Sequence, residues 1–125
     1  MKLTKNFDIK EFACHDGTQV PREYEDNVFE LAKNLQVLRD YFGKPIKINS
    51  GYRTPKYNKS IGGAKYSQHK LAKAADIVIE GVHPHTVHYT IEKLIERGLM
   101  KDGGLGKYNS FTHYDIRDAH ARWNG

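Results

Sequence analysis

Apolar residues recur at helical spacing between Glu25 and Phe42, through Val28, Leu31, Ala32, Leu35, Leu38 and Phe42. The pattern predicts a long amphipathic helix whose stripe faces a core, with Gly43 placed to end it. Ile46-Lys47-Ile48-Asn49 alternates like a half-buried strand and runs into Ser50-Gly51-Tyr52-Arg53-Thr54-Pro55, where Gly and Pro predict a turn and put Arg53 on a loop. Gly62-Gly63-Ala64-Lys65 is a flexible lead into Ser67-Gln68-His69, followed by a bend and a strand over Ala75–Ile79. Pro84 suits a first helical position. Val87, Ile91, Leu94 and Ile95 then trace a second amphipathic helix, which Gly98 can close. Gly103–Tyr108 and Phe111–Ile116 read as paired strands around a turn at Asn109-Ser110, with Phe111, His113 and Asp115 on one face.

This order predicts an α+β fold, a small mainly antiparallel sheet flanked by helices, because the connections are too short for a doubly wound sheet. At 125 residues, without repeat, linker or low-complexity tract, the chain is expected to form one domain spanning residues 1–125. No segment reaches membrane-span length, and Met1–Lys5 lacks a signal peptide's apolar run. A monomeric protein made in the cytoplasm, without membrane insertion, is therefore expected. The net charge of +5 and pI near 9.3 permit attraction to a polyanion. Lys and Arg are dispersed without the aromatic interleaving of a nucleic-acid reader, so no nucleic-acid partner is expected. The one cysteine, Cys14, excludes an intrachain disulfide and reads as a small buried apolar residue.

Three polar residues stand out against this background. His69 follows the Gly-rich loop, Asp76 sits near the start of an apolar strand where a lone carboxylate is costly, and His113 interrupts another strand. Two imidazoles and a carboxylate form a ligand set suited to a catalytic zinc, and a divalent cation would offset all three oddities together. His69 and Asp76 are seven residues apart, on opposite faces of any straight strand, so a turn must bring them together. His83, His85 and His88 open the second helix near its polar side and are read as surface residues. His15 and His120 have no recognisable partner, and Trp123 with Arg122 is expected to pack the C-terminal tail, an aromatic contact to a sugar or peptide substrate being the alternative for Trp123.

The chain resembles the zinc D-Ala-D-Ala carboxypeptidases and their phage endolysin relatives, which share a hedgehog-like fold. The resemblance is carried by Asn6-Phe7, Glu11-Phe12-Ala13-Cys14 with Asp16-Gly17, Asn49–Pro55, Gly62-Gly63-Ala64, Ser67-Gln68-His69, Ala74-Ala75-Asp76-Ile77, Gly103–Gly106 and His113–Arg117. It implies a zinc ion held by His69, Asp76 and His113. It also implies cleavage near D-amino acids in peptidoglycan stem peptides, with Arg53 holding substrate and Ser67 assisting; a structural pair with an acidic residue of the same loop region is the alternative for Arg53. Wall access during phage-type lysis fits the same resemblance.

Two positions depart from the pattern. Ala72 stands where related sequences often carry Gly, and Ser110 stands where some members place an acidic general base three residues before the last zinc histidine. Asp115 is the candidate base in its place, sharing a strand face with His113; its alternative role is to orient a ligand imidazole. A zinc-stabilised cell-wall-binding module without hydrolysis is the competing function.

Overall fold

The computed structural model describes all 125 residues. Helix α1 spans Glu25–Phe42 and buries Val28, Leu31, Ala32, Leu35 and Leu38, the stripe expected from their spacing. It ends at Gly43, whose φ of 62° lies in the left-handed region that glycine enters without steric cost. Strands β1 (Ile46–Ser50) and β2 (Ala74–Ile79) follow, separated by helix α2 (Pro55–Ser60). Helix α3 covers Pro84–Glu96. Strands β3 (Gly104–Lys107), β4 (Thr112–Asp115) and β5 (Ala121–Asn124) complete the fold.

The five strands form one sheet in the order β1-β2-β4-β3-β5, antiparallel throughout except for the parallel β3/β5 pair. The α+β architecture with a mainly antiparallel sheet is thus as expected. α3 packs on β2, β3 and β4 and touches α1. Ile77, Ile91, Leu105, Tyr114 and Ile116, all 1% exposed or less, join the α1 stripe in one hydrophobic cluster. Cys14 is buried in that cluster, as its apolar reading required.

Two elements differ from expectation. Residues 55–60 form a short helix where Pro55 was read as part of a turn. Thr54 caps it by accepting from the Tyr57 N–H at 3.1 Å, and Pro55 occupies the first turn, where its missing N–H costs nothing. β5 was not anticipated, because Ala-Arg-Trp-Asn alternates apolar and polar residues over only four positions, too short a run to stand out as a strand. It is held from outside its own sequence: Arg122 reaches Glu92 of α3 through Nε and Nη2 at 2.9 and 3.0 Å, and Asp102 at 2.8 Å.

Candidate metal centre

Antiparallel pairing sets Asp76 of β2 directly opposite His113 of β4. His113 is paired in turn with Gly106 of β3, and Gly106 with Trp123 of β5. Residues in one cross-strand row share a face of the sheet, so Asp76, His113 and Trp123 project to the same side. A second row, Ala74, Asp115, Gly104 and Ala121, lies beside it. The sequence alternates large polar groups on β4 with glycines on β3, and the glycines make room. A Cβ at Gly104 would lie 2.2 Å from Asp115 Oδ2, and one at Gly106 would lie 2.6 Å from Trp123 Nε1.

His69 arrives from outside the sheet on a 3-10 turn over Gln68–Leu71. Ser67 Oγ caps this turn by accepting from the His69 N–H at 3.2 Å. The turn closes on Ala72 in the left-handed conformation, φ 56° and ψ 32°. This reversal supplies the bend that the seven-residue interval demanded, and it explains why glycine suits position 72 in related sequences. The Arg53 N–H donates to the His69 carbonyl at 3.0 Å, tying the turn to the loop after β1.

His69, Asp76 and His113 are all buried, and one ligand atom from each lies within 4.8 Å of the others. Asp76 Oδ1 is 3.3 Å from His69 Nε2 and 2.9 Å from His113 Nδ1. The outer ring nitrogens are already engaged. His69 Nδ1 donates to the Gly51 carbonyl at 2.7 Å, and His113 Nε2 donates to Asp115 Oδ2 at 2.7 Å. Those acceptors place one proton on the outer nitrogen of each ring, so a neutral imidazole directs its lone pair inward. Two nitrogen lone pairs and a carboxylate oxygen then converge, a repulsive arrangement that a cation at their centre turns into an attractive one. The donor chemistry therefore fits a divalent metal held by His69 Nε2, Asp76 and His113 Nδ1.

In the metal-free site a proton on an inner nitrogen removes the same repulsion, because His113 Nδ1 then donates to Asp76 Oδ1 at 2.9 Å. Burial lowers the His69 pKa. Burial also opposes charge on His113, but its hydrogen bonds to Asp115 and Asp76 outweigh burial and raise its pKa. Burial would raise the pKa of Asp76, yet the flanking imidazoles hold its carboxyl well below the usual carboxylate range.

Asp115 is 0% exposed and does not line the cleft. Its Oδ1 accepts from the Gly104 N–H at 2.9 Å, the Arg117 N–H at 3.1 Å and Arg117 Nε at 2.8 Å. Its Oδ2 accepts from Arg117 Nη2 and His113 Nε2, both at 2.7 Å. Strand periodicity put Asp115 on the His113 face, and the structure places it behind the ring, on the side away from Asp76.

A cleft of about 520 Å³ opens over the triad, lined among others by Arg53, Ser67, His69, Asp76 and His113. Arg53 is held by Ser50 Oγ at 3.1 Å, Asn58 Oδ1 at 3.3 Å and Asp76 Oδ2 at 3.3 Å. Three of its five N–H groups are thereby used, leaving one on each terminal nitrogen for a ligand. Apart from Asp76, no carboxylate lines the cleft, and Ser110 is exposed in the β3–β4 turn.

Sequence reasoning offered Trp123 only as an alternative substrate contact and did not assemble the aromatic wall of this cleft. The Trp123 ring centroid lies 4.9 Å from that of His113, its Nε1 donates to Tyr108 Oη at 2.9 Å, and the Arg117 guanidinium sits 5.3 Å from its ring. Tyr108 stacks on Phe111 with centroids 4.2 Å apart. Trp123 therefore faces the site, while its neighbour Arg122 does the anchoring expected of the pair. The alternating glycines at 104 and 106 were the available signal, since they mark a strand crossed closely by neighbouring side chains.

The other histidines stay apart from the triad. His83 accepts from the His85 N–H at 3.1 Å as the cap of α3. His15 and His120, read as partnerless, in fact contact the Asn49 carbonyl at 2.5 Å and Asp102 Oδ2 at 2.8 Å.

The five-stranded α+β fold thus sets a buried His-Asp-His donor set, of the kind that suits a metal ion, at an open cleft. The chain belongs to the peptidase M15 family, whose model matches residues 5–115 and so includes all three donors and Arg53. Trp123 lies beyond the matched segment. No curated protein matches the sequence.

Proposed function

We propose that the chain is a single zinc peptidase domain hydrolysing peptide bonds of peptidoglycan stem peptides, as a D-Ala-D-Ala carboxypeptidase or a related endopeptidase. The observation that carries this reading is the convergence of two inward imidazole lone pairs and the Asp76 carboxylate beneath a cleft, in a chain of the peptidase M15 family. When bound there, zinc supplies polarisation of the scissile carbonyl and a water ionisable near neutrality, with a pKa of about 7.

The protein's own residues do the positioning. Arg53 offers its two remaining N–H groups to a substrate carboxylate or carbonyl, with its plane fixed by Ser50, Asn58 and Asp76. Ser67 spends its oxygen lone pair on the His69 N–H, which leaves its hydroxyl proton available to a substrate acceptor. Asp115 orients His113 and keeps the proton on Nε2. Its burial and five donors support this role over that of general base. A part in phage-type wall lysis fits the same activity, and no helix is long and apolar enough to cross a membrane.

The test is incubation with intact peptidoglycan and soluble stem peptides, before and after chelation and after zinc restoration, with products identified by mass spectrometry. Loss of a terminal alanine, or one defined internal cut, that vanishes on chelation and returns with zinc is expected. The second reading, a zinc-stabilised wall-binding module, is favoured by the absence of any cleft carboxylate except Asp76. Metal-loaded protein that binds peptidoglycan and releases no product would establish it instead.

A further inference from the structure

Lys and Arg occur throughout the chain, but the acidic residues that balance them do not. Residues 41–75 contain eight Lys and Arg and no Asp or Glu; the remainder has twelve Lys and Arg against fifteen Asp and Glu. The whole net positive charge therefore resides in the segment that builds β1, α2 and the loop leading to His69. Three of these lysines, Lys59, Lys65 and Lys70, line a cavity of about 400 Å³ together with Pro55, Asn58 and Gly63. None of the three forms an ion pair with a carboxylate. The largest cavity, about 820 Å³ between the outer ends of β1 and β2, mixes Lys44 and Lys47 with Glu80 and has no such one-sided charge.

The lysine cavity adjoins the cleft over the triad, with Gly63 and Lys65 lining both. Its wall is fixed. Asn58 is 3% exposed, donates to the Ala64 carbonyl at 2.8 Å and accepts from Arg53 Nη1 at 3.3 Å, so it joins the cavity to the cleft arginine. Gly63 passes so close that a Cβ there would lie 2.1 Å from Asn58 Oδ1. Lys70 Nζ donates to the Lys65 carbonyl, which braces the loop and leaves its other protons free. Lysines lining one cavity without a counter-charge raise the local concentration of anions.

We propose that the Lys59–Lys65–Lys70 cavity is a subsite for a free carboxylate on the peptide substrate, a few residues from the bond held over the triad. The inference rests on the peptidase reading and deepens it, naming an anionic stem peptide as the preferred substrate. A carboxylate is favoured over a phosphate polymer because the lysines line a small pocket beside the cleft, within reach of a group on the same molecule as the scissile bond.

Two soluble stem peptides identical except for a free carboxylate or a carboxamide at that position test it. Their binding to zinc-loaded protein is followed by backbone amide shifts, and their cleavage by mass spectrometry. The carboxylate peptide binds more tightly and shifts residues 59, 65 and 70. Lys59→Gln/Lys65→Gln/Lys70→Gln reduces the preference by about tenfold or more, at roughly two- to fivefold per exposed ion pair. Lys59→Glu alone, at an exposed position, lowers or inverts it. Equal binding of the two peptides overturns the subsite, as does a preference that survives the triple substitution. Shifts at the three lysines with inorganic phosphate but not with the carboxylate peptide overturn it in favour of a phosphate ligand. The binding arm decides the matter even if no peptide is cut, so failure of the subsite and failure of the peptidase reading are separable.

Discussion

Replacing Asp115 by Asn keeps shape and removes charge at the point where the metal site joins the fold. Five donors converge on this carboxylate, and an amide nitrogen can accept none of them. Removing one partner of a buried ion pair costs about 3–5 kcal/mol. The Arg117 side chain is 30% exposed and can regain water, so the lower end, about 3 kcal/mol, is expected. For a domain of this size that lowers Tm by roughly 10 °C. The amide can also donate to His113 Nε2, which moves the ring proton to Nδ1 and takes away the inward lone pair, so metal affinity falls about 10- to 100-fold. Thermal melts of the metal-free protein and competition with a chromophoric zinc chelator measure the two effects. Unchanged stability and affinity with turnover abolished would refute the orienting role and make Asp115 the general base.

Other expectations follow from neighbouring features. Gly104→Ala drives a methyl toward Asp115 Oδ2, 2.2 Å away, and should weaken zinc binding in the same competition assay while costing about 1–3 kcal/mol; unaltered affinity would contradict the packing argument. Ala72→Gly relieves a left-handed residue by about 1–2 kcal/mol but gives up a buried methyl and gains unfolded-state entropy of similar total size. Its melt should therefore lie within about 0.5 kcal/mol of the parent, and a loss above about 1.5 kcal/mol would count against the strain. Protons compete with metal for His113 Nδ1, and this ring has the raised pKa, so zinc affinity should fall as pH drops through the His113 titration, before His69 competes. Calorimetric titration across about pH 5–8 checks the direction, and affinity independent of pH would refute it. Arg53→Lys keeps charge but loses the planar fork, so KM should rise about tenfold with zinc affinity nearly unchanged; a loss of metal instead would assign Arg53 to holding Asp76.

Local pattern was enough for the elements that carry their own periodicity. The α1 and α3 stripes, β1, β2 and the β3–β4 hairpin are written in short-range spacing, because a helix or strand must turn one face to the core. The candidate donors were legible for a related reason: a carboxylate and two imidazoles in apolar surroundings are costly without a partner, and His69, Asp76 and His113 do converge. The need for a bend between His69 and Asp76 was likewise implicit in their spacing, and Ala72 provides it.

What tertiary structure decided depends on contacts between distant residues. β5 pairs in parallel with β3, with Arg122 held by Glu92 and Asp102, and this pairing carries Trp123 across Gly106 to the His113 ring. Strand alternation put Asp115 on the same face as His113. The approach of Gly104 and the fork of Arg117 then buried it behind the ring. The lysines at 59, 65 and 70 line one cavity, whose wall Asn58 fixes by bridging Arg53 and the Ala64 carbonyl. Periodicity records which face a residue takes. Cross-strand register and long-range hydrogen bonds determine what it meets there, and those pairings are set only when the whole chain has folded.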